Sequence, residues 1–259
     1  MPGFAPRVAI ILGSGLGGLA DSITDVTEFP YETLPGFPVS TVEGHAGKMV
    51  CGKLEGEDVV CLKGRVHLYE GIDPRKVRIA IYTFKELGCD IMFSTSAVGS
   101  LLREVGPGGL LLLKDHMNFQ GMNPLIGAND PIGPRFPSML NAYDPHLRSV
   151  IQEKAQELGM DKLVEGVFTA TSGPSFETPA EVEAYRILGG GCVGMSMVPE
   201  VICARHCGLR VAAIAVVVNY AAGMTDEHIT HEETLHFGAI AGAKVEKICK
   251  AFVTAKDQW

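Results

Sequence analysis

The chain has few of the features that are typical of membrane, secreted or nucleic-acid-binding proteins. Its most apolar strand-like run, at residues 211–218, is far too short to cross a bilayer, and no signal-peptide pattern is apparent. Basic residues are also scarce, since 22 lysines and arginines stand against 30 acidic residues, for a formal net charge of −8. Because nucleic acids and anionic membranes attract basic surfaces, we expect neither as a partner, and we expect a cytoplasmic protein.

Disulfide bonds are not expected either. The seven cysteines are an odd number scattered through 259 residues, which indicates reduced thiols rather than a disulfide scaffold. Cys203, His206 and Cys207 are close enough in sequence to suggest a metal site. However, Gly208 indicates that a helix ends there, and no second pair of ligands follows. We therefore expect no metal ion.

Short apolar runs alternate with helical patterns along the chain, which is typical of an α/β fold. Predicted strands cover residues 8–12, 48–54, 58–62, 91–94, 110–113, 164–169 and 211–218. Predicted helices cover residues 74–87, 143–158, 179–188, 199–207 and 231–252. The chain has no internal repeat and no low-complexity tract, so we expect one domain over residues 1–259.

A glycine-rich turn from Gly13 to Gly18 follows the first predicted strand. Such a turn exposes backbone N–H groups, which suits a phosphate group. Its spacing also satisfies G-x-G-x-x-G, so a dinucleotide site is an alternative, and a plain tight turn is another. The dinucleotide site requires a regular βαβ unit, and Pro30, Pro35 and Pro38 interrupt the stretch where that unit would continue.

A second group of residues has the chemistry of an anion site. Arg65 and His67 alternate along an extended segment, so their side chains should point the same way. The planar donor fork of arginine suits phosphate oxygens, although a solvated strand edge is the alternative. His45 lies in a short glycine-flanked segment that should be accessible. Ser196 lies in a turn before a helix, where it could meet an anion.

A third group suits a flat heterocycle. Phe176 can stack on such a ring, and Glu177 can accept a ring N–H, although Glu177 could instead cap the following helix. Asn219 ends the most apolar strand, where catalytic groups in parallel α/β sheets usually lie. His231 begins the last helix and could be a capping or surface residue. The Gly- and Pro-rich stretch 121–137 is predicted to be a lid, a binding loop or a subunit contact.

Seven short motifs occur in one order along the chain, and together they carry a resemblance to a known family. They are Gly13-Ser-Gly-Leu-Gly17, Gly44-His-Ala-Gly47, Gly64-Arg-Val-His-Leu-Tyr-Glu-Gly71, Gly173-Pro-Ser-Phe-Glu-Thr178, Gly194-Met-Ser196, Val198-Pro-Glu-Val201 and Ala204-Arg-His-Cys207. The set resembles the trimeric purine nucleoside phosphorylases. Three further stretches, Phe4-Ala-Pro-Arg-Val8, Gly36-Phe-Pro-Val-Ser-Thr41 and Asn219-Tyr-Ala-Ala-Gly223, most resemble the bacterial members, including the branch that also accepts xanthosine. The resemblance implies a central mixed, mostly parallel twisted β-sheet flanked by helices.

The resemblance also implies a reaction, phosphorolysis of 6-oxopurine nucleosides to free base and (deoxy)ribose 1-phosphate in purine salvage. The substrates would be inosine and guanosine, with xanthosine as a further candidate. The catalytic residues would be Asn219, Glu177 and His67. Phosphate would meet Ser14, His45, Arg65, His67, Ala97 and Ser196. The base would meet Phe176, Glu177, Val193 and Asn219, and the ribose would meet Tyr69, Met195, His231 and the Phe136 of a neighbouring subunit. No metal and no cofactor would be needed, since phosphate is a co-substrate, and the assembly would be a homotrimer or a dimer of trimers.

Three departures from the family pattern concern the base and phosphate sites. Val218-Asn219 replaces a Thr-Asn pair, Ser96-Ala-Val-Gly-Ser100 replaces Asn-Ala-Ala-Gly-Gly, and Thr171 stands where the xanthosine branch has a bulky aromatic residue.

Three other functions stay open at this point. They are a methylthioinosine or methylthioadenosine phosphorylase, whose adenine-accepting form has Asp in place of Asn219, an NAD-dependent oxidoreductase, and a nucleoside-binding protein without turnover.

Overall fold

The computed structural model describes residues 3–13, 16–40, 46–225 and 231–259, except for the side chains of residues 231–235. The described residues form nine strands and six α-helices. The strands are β1 (Val8–Leu12), β2 (Thr24–Pro30), β3 (Lys48–Leu54), β4 (Glu57–Lys63), β5 (Ile91–Ser100), β6 (Leu110–Asn118), β7 (Val164–Ala170), β8 (Cys192–Gly194) and β9 (Arg210–Tyr220). The helices are α1 (Gly18–Asp21), α2 (Val77–Glu86), α3 (Pro145–Glu157), α4 (Pro179–Ile187), α5 (Val198–His206) and α6 (His231–Thr254).

All nine strands belong to one mixed sheet with the order β2-β3-β4-β1-β5-β8-β7-β6-β9. Parallel pairs join β1 to β4 and β5, β5 to β9, and β7 to β6 and β8. Antiparallel pairs join β3 to β2 and β4, β5 to β8, and β6 to β9. The predicted mixed, mostly parallel sheet is confirmed. In addition, the β5–β9 pairing closes β5, β8, β7, β6 and β9 into a ring, which the sequence patterns did not predict.

Helices cover both faces of the sheet, as expected. On β1, Ala9 and Ile11 face one apolar cluster, which includes residues of α2 and α5 such as Phe84. Ile10 and the other alternate residues of β1 face a second cluster, which includes residues of α1, α3 and α6 such as Phe252. Because side chains alternate across a strand, a strand covered on both sides has to be apolar throughout, and all five residues of β1 are buried.

The ends of several predicted elements differ from the structure. The predicted helix at 74–87 opens with a 3₁₀ turn, Pro74–Lys76, where Asp73 accepts a hydrogen bond from the backbone N–H of Arg75 at 2.9 Å. The strands predicted at 91–94 and 110–113 continue as far as Ser100 and Asn118. Their second halves contain Ser, Thr, Gly and charged residues that hid the strand pattern. Helix α1 and strands β2 and β8 were not predicted, because they are short or polar.

The glycine-rich turn after β1 does not belong to a βαβ unit. The chain passes from β1 through α1 to β2, which pairs with β3 in an antiparallel manner at the edge of the sheet. The parallel neighbours of β1 are instead β4 and β5. The dinucleotide alternative therefore lacks the unit that it requires. None of the helices in the described part of the chain is long and apolar enough to cross a membrane.

Candidate active site

A cavity of about 410 Å³ lies beyond the carboxyl ends of the parallel strands β1, β4, β5 and β9. In open α/β sheets this is the edge at which ligands usually bind. Most of the predicted site residues line this one cavity, although they come from distant parts of the sequence: Arg65, His67, Tyr69, Ala97, Phe176, Glu177, Val193, Met195, Ser196 and Asn219. Ser14, His45 and the side chain of His231 lie outside the described residues.

Arg65 forms the buried end of the cavity. Its side chain donates to Ser196 Oγ at 3.1 Å and to the Thr95 carbonyl at 2.7 Å, and its Nε lies 3.5 Å from Oε1 of Glu200. Burial lowers the pKa of the Arg65 guanidinium, and the Glu200 carboxylate acts in the opposite direction. Arg65 is only 4% exposed, so the solvated strand edge considered for it is wrong.

His67 is held in place by the turn that follows it. Its backbone N–H donates to Glu70 Oε1 at 2.6 Å, and its ring Nδ1 lies 3.4 Å from the same oxygen. The Tyr69 ring stacks on the His67 ring, with the centroids 4.8 Å apart. Burial, with the nearby Glu70 carboxylate, raises the pKa of the Tyr69 hydroxyl. Ser40 Oγ donates to the other oxygen of Glu70 at 3.3 Å, so Glu70 joins His67 to the segment before residue 41.

The start of the glycine-rich turn lies against strand β5. The backbone N–H of Gly13 donates to Thr95 Oγ1 at 3.1 Å. A Cβ at position 13 would lie only 3.0 Å from Ser96 Cα and from the Thr95 carbonyl oxygen, so a larger residue would push the two segments apart. This close approach brings the turn to the same part of the cavity as Ala97.

Glu177 and Phe176 lie at the open end of the cavity. Helix α4 begins at Pro179, and its cap is Thr178, which forms a capping box with Glu181. The alternative of Glu177 as the helix cap is therefore wrong. Instead, Glu177 Oε1 accepts a hydrogen bond from Thr171 Oγ1 at 2.8 Å, and Phe176 is 63% exposed at the cavity mouth.

Asn219 lies near the end of β9, as predicted, and faces the cavity. Its Nδ2 donates to the carbonyl of Tyr220 at 2.7 Å. A Cβ on Gly99 would lie 3.2 Å from that Nδ2, so the glycine leaves room for the amide. Val193 pairs with Gly99 across β5 and β8 and lines the same wall. Val218 also lines the cavity and supplies no hydroxyl to orient the Asn219 amide.

Phe136 does not reach the cavity of its own chain. It is 87% exposed and lines a separate groove with His116, Met139 and Ile202, among others. The guanidinium of Arg135 lies 5.7 Å from the centre of its ring. This position leaves the predicted role of Phe136 in a neighbouring subunit as a prediction.

Two carboxylates of the site were not predicted to act there. Glu70 contacts His67, and Glu200 contacts Arg65. Both carboxylates belong to sequence motifs, but no role had been assigned to either. The signal for Glu200 was available, because it is the acidic residue within the apolar run Val198-Pro-Glu-Val-Ile-Cys-Ala204, and the structure shows that it is 7% exposed. A charge in such a position usually has a buried partner.

The Cys203, His206 and Cys207 segment has a structural explanation. His206 Nδ1 is 2.6 Å from the Tyr82 hydroxyl, and its Nε2 is 3.3 Å from Asn129 Oδ1, so both ring nitrogens have partners. Within the described residues no group of three His, Cys, Asp or Glu side chains could hold a metal ion.

Comparison with known proteins agrees with this geometry. Residues 7–254 match the model of the family described as the phosphorylase superfamily. The chain is also 45% identical over 250 residues to purine nucleoside phosphorylase 1 of Geobacillus stearothermophilus, with 96% of this chain and 91% of the relative covered. The chain belongs to the phosphorylase superfamily. The resemblance predicted from the motifs is thereby confirmed at the level of the family.

Solved structures of relatives have the same fold as this chain. A Schistosoma purine nucleoside phosphorylase in complex with hypoxanthine matches with a TM-score of 0.91 and 37% identity, covering 96% of this chain and 91% of the other. A Schistosoma mansoni purine nucleoside phosphorylase in complex with adenosine matches with a TM-score of 0.90 and 38% identity, at the same coverage.

Proposed function

We propose that this chain is a purine nucleoside phosphorylase that acts on 6-oxopurine nucleosides and releases the free base and (deoxy)ribose 1-phosphate. The observation that carries this proposal is the arrangement of one cavity. A buried arginine and serine lie at one end of it, and an exposed aromatic ring, a carboxylate and an amide lie at the other. An anion and a planar base can thus be held in one cavity, as phosphorolysis requires.

The reaction breaks the bond between C1′ and the base nitrogen while a phosphate oxygen forms a new bond to C1′. Positive charge develops on the ribose, and negative charge develops on the base. Arg65, His67 and Ser196 are suited to hold the phosphate, which is both nucleophile and counter-charge, and Asn219 can donate a hydrogen bond to N7 of the leaving base. The enzyme's contribution is positioning and preorganised electrostatics, so we propose that it needs no metal or organic cofactor.

The base and ribose would lie along the exposed half of the cavity. Phe176 would stack on the purine, and Glu177 would accept N1–H, with Val193 beside them. Tyr69 and Met195 would contact the ribose, together with His231, whose side chain lies outside the described residues. We further propose that residues 1–259 act as one domain in the cytoplasm.

We propose a homotrimer, or a dimer of trimers, in which Phe136 covers the ribose of the next subunit. Phe136 and Ile126 line one groove and are 87% and 66% exposed. Exposed apolar surface of this kind is typical of a subunit contact. Sedimentation and light scattering should give a trimer or hexamer, and an active monomer would overturn this part of the proposal.

Product analysis tests the reaction itself. The enzyme should be assayed with inosine, guanosine, xanthosine, adenosine and methylthioinosine, each with and without inorganic phosphate. We expect inosine or guanosine to give ribose 1-phosphate at a rate that depends on phosphate. Equal turnover in phosphate-free buffer would indicate a hydrolase, binding without turnover would indicate a nucleoside-binding protein, and a preference for methylthioinosine would indicate the related methylthio-nucleoside activity.

A further inference from the structure

Three side chains form a chain of hydrogen bonds at the buried end of the cavity. Arg65 Nη1 donates to Ser196 Oγ at 3.1 Å, and Ser196 Oγ lies 2.8 Å from Ser96 Oγ. Ser96, on β5, is 1% exposed, and Ser196, in the turn after β8, is 9% exposed, yet both line the cavity. Ser96 was noted in the sequence only as a departure from a motif, with no role assigned to it.

The number of hydroxyl protons limits which hydrogen bonds Ser96 and Ser196 can donate at the same time. Ser196 has one hydroxyl proton, and its oxygen already accepts from Arg65. If Ser196 donates to Ser96, it has no proton left for an anion in the cavity. If Ser96 donates to Ser196, the Ser196 proton is free to point at the anion. The other acceptor for Ser96 is the Ala97 carbonyl at 3.2 Å, which is longer than the 2.8 Å contact with Ser196.

We propose that Ser96 is a positioning residue of the phosphate site, and that its hydroxyl donates to Ser196 when phosphate is bound. In that arrangement Ser196 Oγ accepts from Arg65 and from Ser96 and donates its own proton to the phosphate. Two donors on one oxygen, one of them charged, polarise its O–H bond and strengthen the bond that it donates. This inference rests on the proposed function, because it assigns the anion as phosphate.

The substitution Ser96→Ala tests the inference. Because Ser196 then loses the donor that orients and polarises its hydroxyl, we expect the Kd for inorganic phosphate, measured by calorimetry without nucleoside, and the KM for phosphate to rise by about 5- to 10-fold at most. The KM for inosine should stay within about twofold. Ser96→Cys, which keeps the side-chain size but has a weak S–H donor, should weaken phosphate binding in the same direction and serves if the alanine variant folds poorly.

A matched control and a double-mutant cycle separate this role from a merely structural one. Ser100→Ala removes another buried serine of β5, whose hydroxyl, among the described residues, bonds to the backbone of Leu102, and should leave phosphate binding unchanged. In a Ser196→Ala background, Ser96→Ala should have no further effect on phosphate affinity, because Ser96 acts through Ser196.

The possible failures are distinguishable. If the wild-type enzyme cleaves inosine without needing phosphate, the proposed function fails. If the wild-type enzyme requires phosphate but Ser96→Ala binds it as tightly as wild type, or if the two serine substitutions have additive effects, only the inference about Ser96 is overturned.

Discussion

The two ends of the cavity are built differently. At the anion end, Arg65 and Ser196 are at most 9% exposed; hydrogen bonds join them to each other and to β5, and Arg65 also forms an ion pair with Glu200. At the base end, Phe176 is 63% exposed, and Glu177 is half-buried with a hydrogen bond from Thr171. The anion end is therefore buried and held by contacts within the fold, whereas the base end is open to solvent.

Under the proposed function, this difference predicts how the two substrates are recognised. Donors that are already oriented do not have to reorganise when charge develops, so we expect the anion end to be preorganised for phosphate. The base end has an exposed ring and two polar groups, Glu177 and Asn219, each with a local partner. We therefore expect substitutions at the anion end to affect folding and phosphate together, and substitutions at the base end to change the choice of base.

The largest effect is expected for Arg65→Met. Removing one member of a buried ion pair leaves Glu200 uncompensated, which costs about 3–5 kcal/mol of folding stability. Phosphate affinity should also fall about 100-fold with the loss of a charged donor. Urea denaturation and phosphate titration measure the two effects. In the double variant Arg65→Met with Glu200→Met, stability should recover while phosphate affinity does not. If phosphate affinity returned with stability, Arg65 would be a structural residue only.

A smaller effect, confined to the nucleoside, is expected for Glu177→Ala. Loss of a charged hydrogen bond to N1–H should cost about 2–4 kcal/mol of transition-state stabilisation, measured as a fall in kcat/KM for inosine. Phosphate affinity should change little. Thr171→Val keeps the carboxylate and removes only its hydrogen-bond donor, so it should cost less. A loss of less than about tenfold in Glu177→Ala would mean that Glu177 does not bind the base.

Asn219→Asp should change the selectivity for the base. The Asn amide can donate to N7 and approach a 6-oxo group, whereas the 6-amino group of adenosine presents donors to it. An aspartate offers an acceptor to the 6-amino group, and when protonated it could still donate to N7. We expect lower inosine turnover and higher adenosine turnover, a shift in their ratio of about 10- to 100-fold.

Turnover is the measurement that decides this prediction, because a relative from Schistosoma mansoni binds adenosine in its crystal structure. An equal loss for both nucleosides would mean that Asn219 does not read position 6. Val218→Thr, which adds a hydroxyl beside the amide, should make the preference of the wild-type residue sharper.

The smallest effect concerns the stretch 121–137, which carries Phe136. Within this stretch, Asn129 Oδ1 lies 3.3 Å from Nε2 of the buried His206. Burial lowers the pKa of His206 in the folded protein. The unfolded chain therefore takes up a proton first as the pH falls below about 6.5. The contribution of neutral, buried His206 to folding stability is thus fully present above that pH. It is lost as the pH falls toward the lower pKa of His206 in the folded protein. In denaturation at several pH values, His206→Gln should show a weaker fall in stability below pH 6.5, and an unchanged fall would contradict this account.

Sequence patterns predicted the parts of the fold that depend on local chemistry. Strands β1 and β9 were predicted from apolar runs, and the helical segments that follow Asp73 and Thr178 were predicted at their observed starts. Strand β8 has three residues, the last of which is Gly194, and these are too few to form a pattern. The β5–β9 pairing joins residues more than a hundred positions apart, which no local pattern reveals.

The same limit applies to the site. Arg65, Glu177 and Asn219 were predicted as site residues from their chemistry, and the structure brings them to one cavity. The hydrogen bonds that hold them, from Thr171 to Glu177 and between Ser96 and Ser196, link residues that are not neighbours along the chain. Side-chain orientation depends on packing between distant segments, so composition and spacing do not specify it.

Strand β5 changes partners along its length. On one side it pairs with β1 from Ile91 to Ser94 and with β8 at Gly99 and Ser100, while β9 follows it on the other side. Among the described pairings, residues 95–98 thus have a strand on one side only, and Arg65 already uses the Thr95 carbonyl there. Residues 96–98 of this stretch line the cavity, so the wall there includes main chain that a second strand does not cover in the described pairings. Main-chain groups are the same whatever the side chain, so we expect position 97 to accept other small residues over evolutionary time while the path of the strand is retained.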